Sequence, residues 1–356
     1  MALTKVSPEI LDLNNTAGTS NLRLGVNAGN SIESGGNYNV VVGDEAGTAI
    51  TTGDNNVAVG YQSLDANTTG SRLTAVGNEA LSANTTAAFN VAVGDRALLT
   101  NTGSANNVAV GANALYTFNV GSGDGYNVAV GKNAGLSVTT GHTNTLIGGL
   151  AGDAITTGSG NTFIGFESGS YGTNLTTGTT NTLVGAYNNT TAVNSVNAMG
   201  LGYNLDCAGG YTTVGSGSAE IRAPHGSAAW ATASDQRYKK DIVDSTAGLS
   251  FINALQPRTF KYKTLGELPE TFSAYEADST EVFKNSETNH GFIAQEVKAA
   301  IDADASIKDG FRLWDDREDG SQEVAEAALI PVLVKAIQEQ SALITSLTAR
   351  VAELEG

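Results

Sequence analysis

The polar segment at residues 234–241, Ser-Asp-Gln-Arg-Tyr-Lys-Lys-Asp, holds the residue types of this chain that could do chemistry at close spacing. A serine hydroxyl becomes a useful nucleophile only when a base removes its proton. A lysine can be that base if burial or neighbouring cations lower its pKa. Taken by itself, however, the segment is typical of a solvated charged loop at a domain junction. The surrounding sequence must therefore decide between the two interpretations.

The other reactive side chains do not form a metal site or a disulfide. Cys207 is the only cysteine, which excludes a disulfide within the chain. His142, His225 and His290 are far apart and lack the spacing of zinc ligands. We therefore predict no metal and no cofactor. The formal net charge of −17 argues against nucleic acid as a partner, because phosphate binding needs clustered Lys and Arg.

From the sequence we expect neither a signal peptide nor a membrane-spanning segment. Its first ten residues, MALTKVSPEI, lack an apolar core of the kind found in signal peptides, and no run of 18 apolar residues occurs. We therefore expect synthesis in a cytoplasm and no insertion into a membrane. Exposure outside the cell would then need another route, such as a virus particle.

Composition divides the chain into two parts. Residues 1–233 contain 6 Lys and Arg and 14 Asp and Glu, whereas residues 234–356 contain 13 and 22. The first part is instead rich in Gly, Asn, Thr, Ala and Val, which favours short strands joined by tight turns. The second part has the composition of an ordinary mixed α/β domain.

A repeat dominates residues 21–215. Its core is Asn-Val-Ala-Val-Gly, as at residues 56–60, 90–94, 107–111 and 127–131, with variants such as Asn-Thr-Leu-Ile-Gly at 144–148. The closing glycines are spaced by 17 residues, except for two spacings of 20. So regular a period predicts stacked copies of one small structural unit.

Alternation within the repeat suggests how the units bury apolar surface. Val57 and Val59 flank Ala58 and should point to the same face of a short strand, which we expect to be the face that stacking buries. An alanine three residues after the glycine, such as Ala80 or Ala97, supplies a second small inward position. Small inward side chains predict a thin core, so that neighbouring chains would supply further burial.

The segments after residue 234 alternate between helix and strand patterns. LSFINAL (249–255) and FIAQEVKAAI (292–301) have apolar residues at helical spacing, whereas QPRTFKYK (256–263) alternates as a strand does. The tail at 329–355 predicts a coiled coil, since its apolar residues recur at steps of three and four. The positions of this seam are Ile330, Leu333, Ile337, Gln340, Ile344, Leu347, Val351 and Leu354. Ile or Val alternating with Leu would by itself favour two strands.

The repeat resembles the head domains of trimeric autotransporter adhesins and the shafts of phage tail fibres. The resemblance implies a mainly β shaft, as a trimeric β-roll, a β-prism or a solenoid-like structure; a monomeric β-solenoid is the alternative. Tyr126, Phe163, Phe166 and Tyr187 are predicted at strand edges rather than in a sugar-binding groove. A polysaccharide-degrading tailspike is a second alternative, but paired carboxylates do not recur near aromatic residues.

Residues 234–356 resemble the intramolecular chaperone auto-processing domain of phage tailspikes, tail fibres and neck appendages, a self-cleaving serine peptidase family. The resemblance rests on four ordered segments: ASDQRYKKDI, the 249–263 segment, HGFIAQEVKAAI and LIPVLVKAIQEQ. It implies a cut just before the serine of an S-D-x-R-x-K motif, which here is the bond between Ala233 and Ser234.

The same resemblance assigns roles to the motif residues. Ser234 and Lys239 would be the nucleophile and its base, and Asp235 and Arg237 would hold the loop. His290 and Gln295 would help to polarise or orient the site.

These expectations combine into one hypothesis: a homotrimeric viral tail fibre or spike, made in the host cytoplasm and carried on the virion, whose chaperone sets the chain register and then removes itself. Residues 1–20 would anchor the fibre to other tail or baseplate proteins, and residues 216–233 would form its distal end. A host glycan or surface protein would be the receptor. Retention of an uncleaved chaperone remains an alternative, whereas a cellular adhesin would need a secretion signal and an anchor.

Overall fold

The chain forms two compact units, residues 1–234 and residues 235–356, in a computed structural model. The structure describes residues 11–12, 18–227, 230–232, 234–304, 307, 311 and 313–356. Most of the predicted N-terminal anchor, namely residues 1–10 and 13–17, lies outside the described residues.

The first unit is a β-solenoid of about 11 turns. Its strands are β1 (Leu11–Asp12), β2 (Leu22–Leu24), β3 (Val40–Val42), β4 (Val57–Val59), β5 (Thr74–Val76), β6 (Val91–Val93), β7 (Ser104–Ala105), β8 (Val108–Val110), β9 (Gly123–Asp124), β10 (Val128–Val130), β11 (Thr145–Ile147), β12 (Thr162–Ile164), β13 (Thr182–Val184), β14 (Asn189–Thr190), β15 (Met199–Tyr203), β16 (Asp206–Cys207), β17 (Tyr211–Ser216) and β18 (Ala219–Pro224). The predicted stack of short repeated strands is thereby confirmed.

One 14-stranded sheet runs along the whole solenoid, and every turn contributes a strand at the same register. Val57 of β4 pairs with Thr74 of β5, for example, and Val59 pairs with Val76. The strands from β2 to β17 in this sheet pair in parallel, whereas β1 and β18 add to the two ends in antiparallel orientation. The short pairs β7–β9 and β14–β16 lie outside this sheet.

The glycine that closes each strand is required by close backbone approach. Gly77 has a φ of +139°, and a Cβ placed on it would lie 2.4 Å from the carbonyl oxygen of Gly94 in the next turn. Any side chain there would collide with backbone rather than with a mobile group. The 17-residue spacing of these glycines therefore equals the number of residues in one turn of the solenoid.

The solenoid core is built from the central residue of each strand and from small and aliphatic residues of the turns. Ala58, Ala80 and Leu81 are fully buried. The expectation that the valine pair would face the core is wrong, because the central alanine points inward and the flanking valines point outward. The alanines three residues after the glycines are buried, as predicted. Phe163 is also buried at the centre of β12 rather than placed at a strand edge.

The described part of the second unit contains three α-helices and two short antiparallel strand pairs. Its elements are α1 (Leu249–Ala254), β19 (Arg258–Phe260), β20 (Asn289–Gly291), α2 (Ala294–Ala303), β21 (Trp314–Asp316), β22 (Gln322–Val324) and α3 (Leu329–Glu355). β19 pairs with β20, and β21 pairs with β22. The predicted strand over 256–263 is thus shorter than expected, and Phe292 and Ile293 precede α2 instead of lying within it.

Side chains from one side of each helix form the core of this unit. Phe251 of α1, Val297 and Ile301 of α2, and Val332 of α3 are buried together. Glu339 of α3 also accepts a hydrogen bond at 2.8 Å from the backbone N–H of Leu249, which opens α1. The first turns of α3 are therefore fixed to the unit by packing and by this cap.

The helical segment Glu326–Glu355 is long and apolar enough to cross a membrane, by length and composition only. A single helix of this kind is weak evidence for a membrane span.

Candidate functional site

Ser234 lies where the two units meet in the sequence. It is exposed and is the last residue of the first unit. Ala233, on the other side of the predicted scissile bond, lies outside the described residues. Upstream, the backbones of Ala231 and Arg222 exchange two hydrogen bonds, at 2.8 and 2.9 Å. In the described chain, β-pairing of the solenoid thus extends to within two residues of Ala233.

Asp235 and Arg237 form a closed turn immediately after Ser234. Asp235 Oδ1 accepts hydrogen bonds from the backbone N–H and from Nε of Arg237, at 2.8 and 3.0 Å, and Oδ2 accepts one from Nη2 at 2.6 Å. The side-chain bond from Arg237, followed by the backbone bond, lowers the pKa of Asp235 below its ordinary value. Because both side chains are exposed, the pair adds little stability but does fix the loop conformation.

Lys239 ends the short 3-10 turn Gln236–Tyr238 that this pair caps. Its backbone N–H donates to the carbonyl oxygen of Gln236 at 3.0 Å, and the residue is exposed. Ser234 and Lys239 therefore flank the turn that Asp235 and Arg237 hold. Their pairing as nucleophile and base stays a prediction.

His290 and Gln295 lie on a connection between a strand and a helix. His290 is the middle residue of β20, and its Nδ1 is 3.4 Å from Oγ1 of Thr259 on the paired strand β19. Gln295 is the second residue of α2, and both residues are exposed. Their predicted assistance to the cleavage site stays a prediction.

An ion pair that the sequence did not predict joins β19, the strand paired with β20, to α2. Arg258 of β19 donates from Nε and Nη2 to the two carboxylate oxygens of Glu296 in α2, at 2.9 and 2.7 Å. Two planar groups matched in this way hold a strand and a helix at a fixed separation. The partners are 38 residues apart, so no local periodicity signals the contact.

Each unit also has a long apolar surface: the one on the solenoid is partly exposed, and the one on the second unit is exposed. On the solenoid, the third residue of each strand of the long sheet from β2 to β15, followed by the fourth residue of β17, points outward and stacks in register with its equivalents. This outer stripe is Leu24, Val42, Val59, Val76, Val93, Val110, Val130, Ile147, Ile164, Val184, Leu201 and Val214. It contains no polar residue and extends for about 50 Å, at roughly 4.8 Å for each strand.

The second apolar surface is the seam of α3. Leu329, Val332 and Ala336 are the buried residues of this helix. Seven apolar seam positions of α3 are exposed: Ile330, Leu333, Ile337, Ile344, Leu347, Val351 and Leu354. The heptad positions of the sequence are thus left uncovered by the unit's own core.

Within the described residues, no group of three or more His, Cys, Asp or Glu side chains could hold a metal ion.

Comparison with known proteins gives one match, and it begins at Ser234. Residues 234–305 match the family Peptidase_S74, described as chaperone of endosialidase. Searches of curated proteins and of solved structures found no match. The sequence and fold therefore fit a fibre-like or spike-like protein that carries a chaperone domain, in which a β-solenoid precedes the matched segment.

Proposed function

We propose that this chain is a homotrimeric tail fibre or spike of a bacterial virus, whose C-terminal domain assembles the trimer and then detaches by cleaving the bond between Ala233 and Ser234. The observation that carries the proposal is the family match, which starts at Ser234 and directly follows a solenoid with an unbroken outer stripe. The solenoid would remain as the working part and would attach the particle to a host surface.

Both apolar surfaces support the proposal that the partners of this chain are further copies of it. An aliphatic stripe of constant width along the solenoid is complementary to the same stripe on a parallel copy, turn by turn. The α3 seam has the heptad spacing that helices use to bind one another. Exposed apolar surfaces of this extent mark interaction sites, and copies of the chain would cover both of them in one assembly.

The cleavage chemistry would use the flanks of the Asp235–Arg237 turn. Ser234 Oγ would add to the carbonyl carbon of Ala233 while Lys239 takes the hydroxyl proton. That proton would pass to the leaving amine of Ser234 as the C–N bond breaks, and water would hydrolyse the resulting ester. The products are a carboxylate on Ala233 and a free amino group on Ser234.

Exposure of Lys239 in the single chain bears on when the reaction occurs. A lysine serves as a base where its surroundings displace water from the amine. Because Lys239 is exposed in the single chain, a neighbouring copy would have to cover it. Cleavage would accordingly follow assembly, which is the useful order for a domain that sets chain register.

The test is the intact mass of freshly expressed wild-type and variant proteins. Alanine substitutions of the two adjacent lysines, Lys239 and Lys240, serve as test and control. We expect wild type to give two fragments divided between Ala233 and Ser234, and Ser234→Ala and Lys239→Ala to stay full length. Lys240→Ala should be cleaved as wild type is. A single full-length species in every sample would overturn the self-cleavage proposal and leave a permanently attached domain.

A further inference from the structure

Four aromatic side chains cluster on the surface of the last solenoid turns. Tyr187 makes edge-to-face contacts with three rings: its centroid is 5.6 Å from that of Phe166, 5.0 Å from Tyr171 and 5.6 Å from Tyr203. Phe166, Tyr171 and Tyr203 are about half exposed. We call these four residues the aromatic platform.

The platform is built partly by a departure from the repeat. The glycines of β12 and β13, Gly165 and Gly185, are separated by 20 residues instead of 17. Tyr171 lies in the lengthened turn between them, where it contacts Tyr187 of the following turn. Insertions in repeat proteins map to loops on one face, often the binding face.

Tyr187 also occupies a position that favours another residue type. Its φ is +59°, and the equivalent residues in other turns include Asn113, Asn133 and Asn204, with φ of 56°, 58° and 53°. Asparagine tolerates this left-handed conformation better than a bulky aromatic residue does. The backbone therefore does not explain the choice of tyrosine at this turn.

The polar atoms at the platform are left without partners. Among the described residues, the hydroxyl groups of Tyr171, Tyr187 and Tyr203 make no hydrogen bond to protein. Asn189, only 4% exposed, has a buried Oδ1 with no hydrogen-bond partner. This oxygen is enclosed by protein, so the tyrosine hydroxyls are the platform atoms that a ligand could reach. Half-exposed rings whose hydroxyl groups have no protein partner suit a ligand that offers hydrogen-bonding groups of its own.

The charge of this region restricts the ligand further. No Lys or Arg occurs between Lys132 and Arg222, whereas Asp153, Glu167 and Asp206 do. The stretch of chain that supplies the platform therefore contributes no cation of its own to pair with phosphate, sulfate or carboxylate groups. A ligand that offers apolar C–H faces and hydroxyl groups but no charge matches all of these features.

From this arrangement we infer that the aromatic platform binds an uncharged saccharide. Sugar rings would lie against the exposed parts of the tyrosine rings, and sugar hydroxyls would bond to the tyrosine hydroxyls. The inference rests on the proposed role of the solenoid as the attachment part, and it names the ligand class and the residues for that role.

The experiment applies the full-length chain to a printed array of neutral and acidic oligosaccharides. Calorimetry then measures affinity for the best neutral glycan. We expect binding to neutral glycans only. Tyr187→Asn, which installs the residue found in equivalent turns, should weaken it about tenfold or more. The matched control is Tyr61→Asn, because Tyr61 is 49% exposed but outside the platform, and Asn78 takes its place in the next turn. That control should bind as wild type does.

Three outcomes would overturn the inference: no binding to any neutral glycan, binding to acidic glycans only, or unchanged binding by Tyr187→Asn. Oligomeric mass and cleavage, measured on the same preparations, separate this inference from the proposed assembly. A monomer that binds neutral glycan would contradict only the proposed trimer. A cleaved trimer that binds no neutral glycan would contradict only saccharide binding by the platform.

Discussion

The side-chain oxygen of Asn144 accepts two hydrogen bonds from Asn161, one from the backbone N–H at 3.0 Å and one from the side-chain amide at 3.1 Å. Asn144 repeats both bonds toward Asn127 in the preceding turn, at 3.0 and 3.2 Å. All three side chains are fully buried. A ladder of amides inside the solenoid therefore joins successive turns and satisfies backbone groups that would otherwise be stranded away from water.

Removing one rung of this ladder should destabilise the solenoid. Asn144→Ala leaves the buried N–H of Asn161 without its acceptor, which should lower the free energy of unfolding by about 2 kcal/mol. Urea unfolding followed by circular dichroism measures the change. Thr143→Asn is the control, because Thr143 is exposed and asparagine stands at the equivalent positions 106 and 197. Equal losses in both variants would contradict a role for the ladder.

Charges placed in the outer stripe should prevent the solenoids from associating. Val130 and Ile147 are adjacent in the stripe and are 36% and 37% exposed. Glutamate side chains at these positions could therefore reach solvent in the single chain. In an assembly they would be buried without partners. Light scattering should therefore give a monomer mass for the Val130→Glu, Ile147→Glu double variant. Its β-sheet circular dichroism spectrum should be that of the wild type. Thr143→Glu, off the stripe, should remain trimeric; a trimeric double variant would mean that another face is the interface.

A charge in the α3 seam should block both assembly and cleavage, because the proposed reaction follows assembly. Leu347 is 63% exposed in the single chain, so Leu347→Lys should fold as wild type does. We expect it to remain full length in a denaturing gel. Ser346→Lys, one residue off the seam, should be cleaved normally. Efficient cleavage of Leu347→Lys would show that the reaction needs no partner chain.

Cys207 should be inert to thiol reagents while the solenoid is folded. It is fully buried, and burial raises the pKa of its thiol to about 12, so that almost no reactive thiolate is present at pH 8. A chromogenic disulfide reagent should release no colour from native protein and one equivalent after denaturation in guanidinium. Rapid reaction of the native protein would contradict the burial of β16 in the solenoid core.

The repeat architecture could be predicted because stacking forces the same residue types to recur. Gly77, Gly94 and their equivalents each approach the backbone of the next turn, so the sequence period equals one turn of the solenoid. Which face of each strand is buried could not be predicted from Val57, Ala58 and Val59. Alternation separates two faces but does not say which one is inside, and here the smaller residue is inside.

The candidate sites were predictable to different extents. The turn held by Asp235 and Arg237 is local, and its residues stand in one short motif. The contact of Arg258 with Glu296 depends on how a strand and a helix are packed, which no spacing in the sequence encodes. The aromatic platform was not predicted, and Phe166 and Tyr187 were expected at strand edges rather than in a sugar-binding groove. Tyr171, Tyr187 and Tyr203 come from different turns and converge only after stacking.

Native mass spectrometry of freshly purified wild-type protein tests the central claim most directly, because one spectrum reports both chain number and cleavage. We predict a complex with three times the mass of residues 1–233, together with the released fragment 234–356. A full-length monomer would contradict both trimeric assembly and self-cleavage. Three full-length chains would contradict self-cleavage, and a monomeric 1–233 fragment would contradict trimeric assembly.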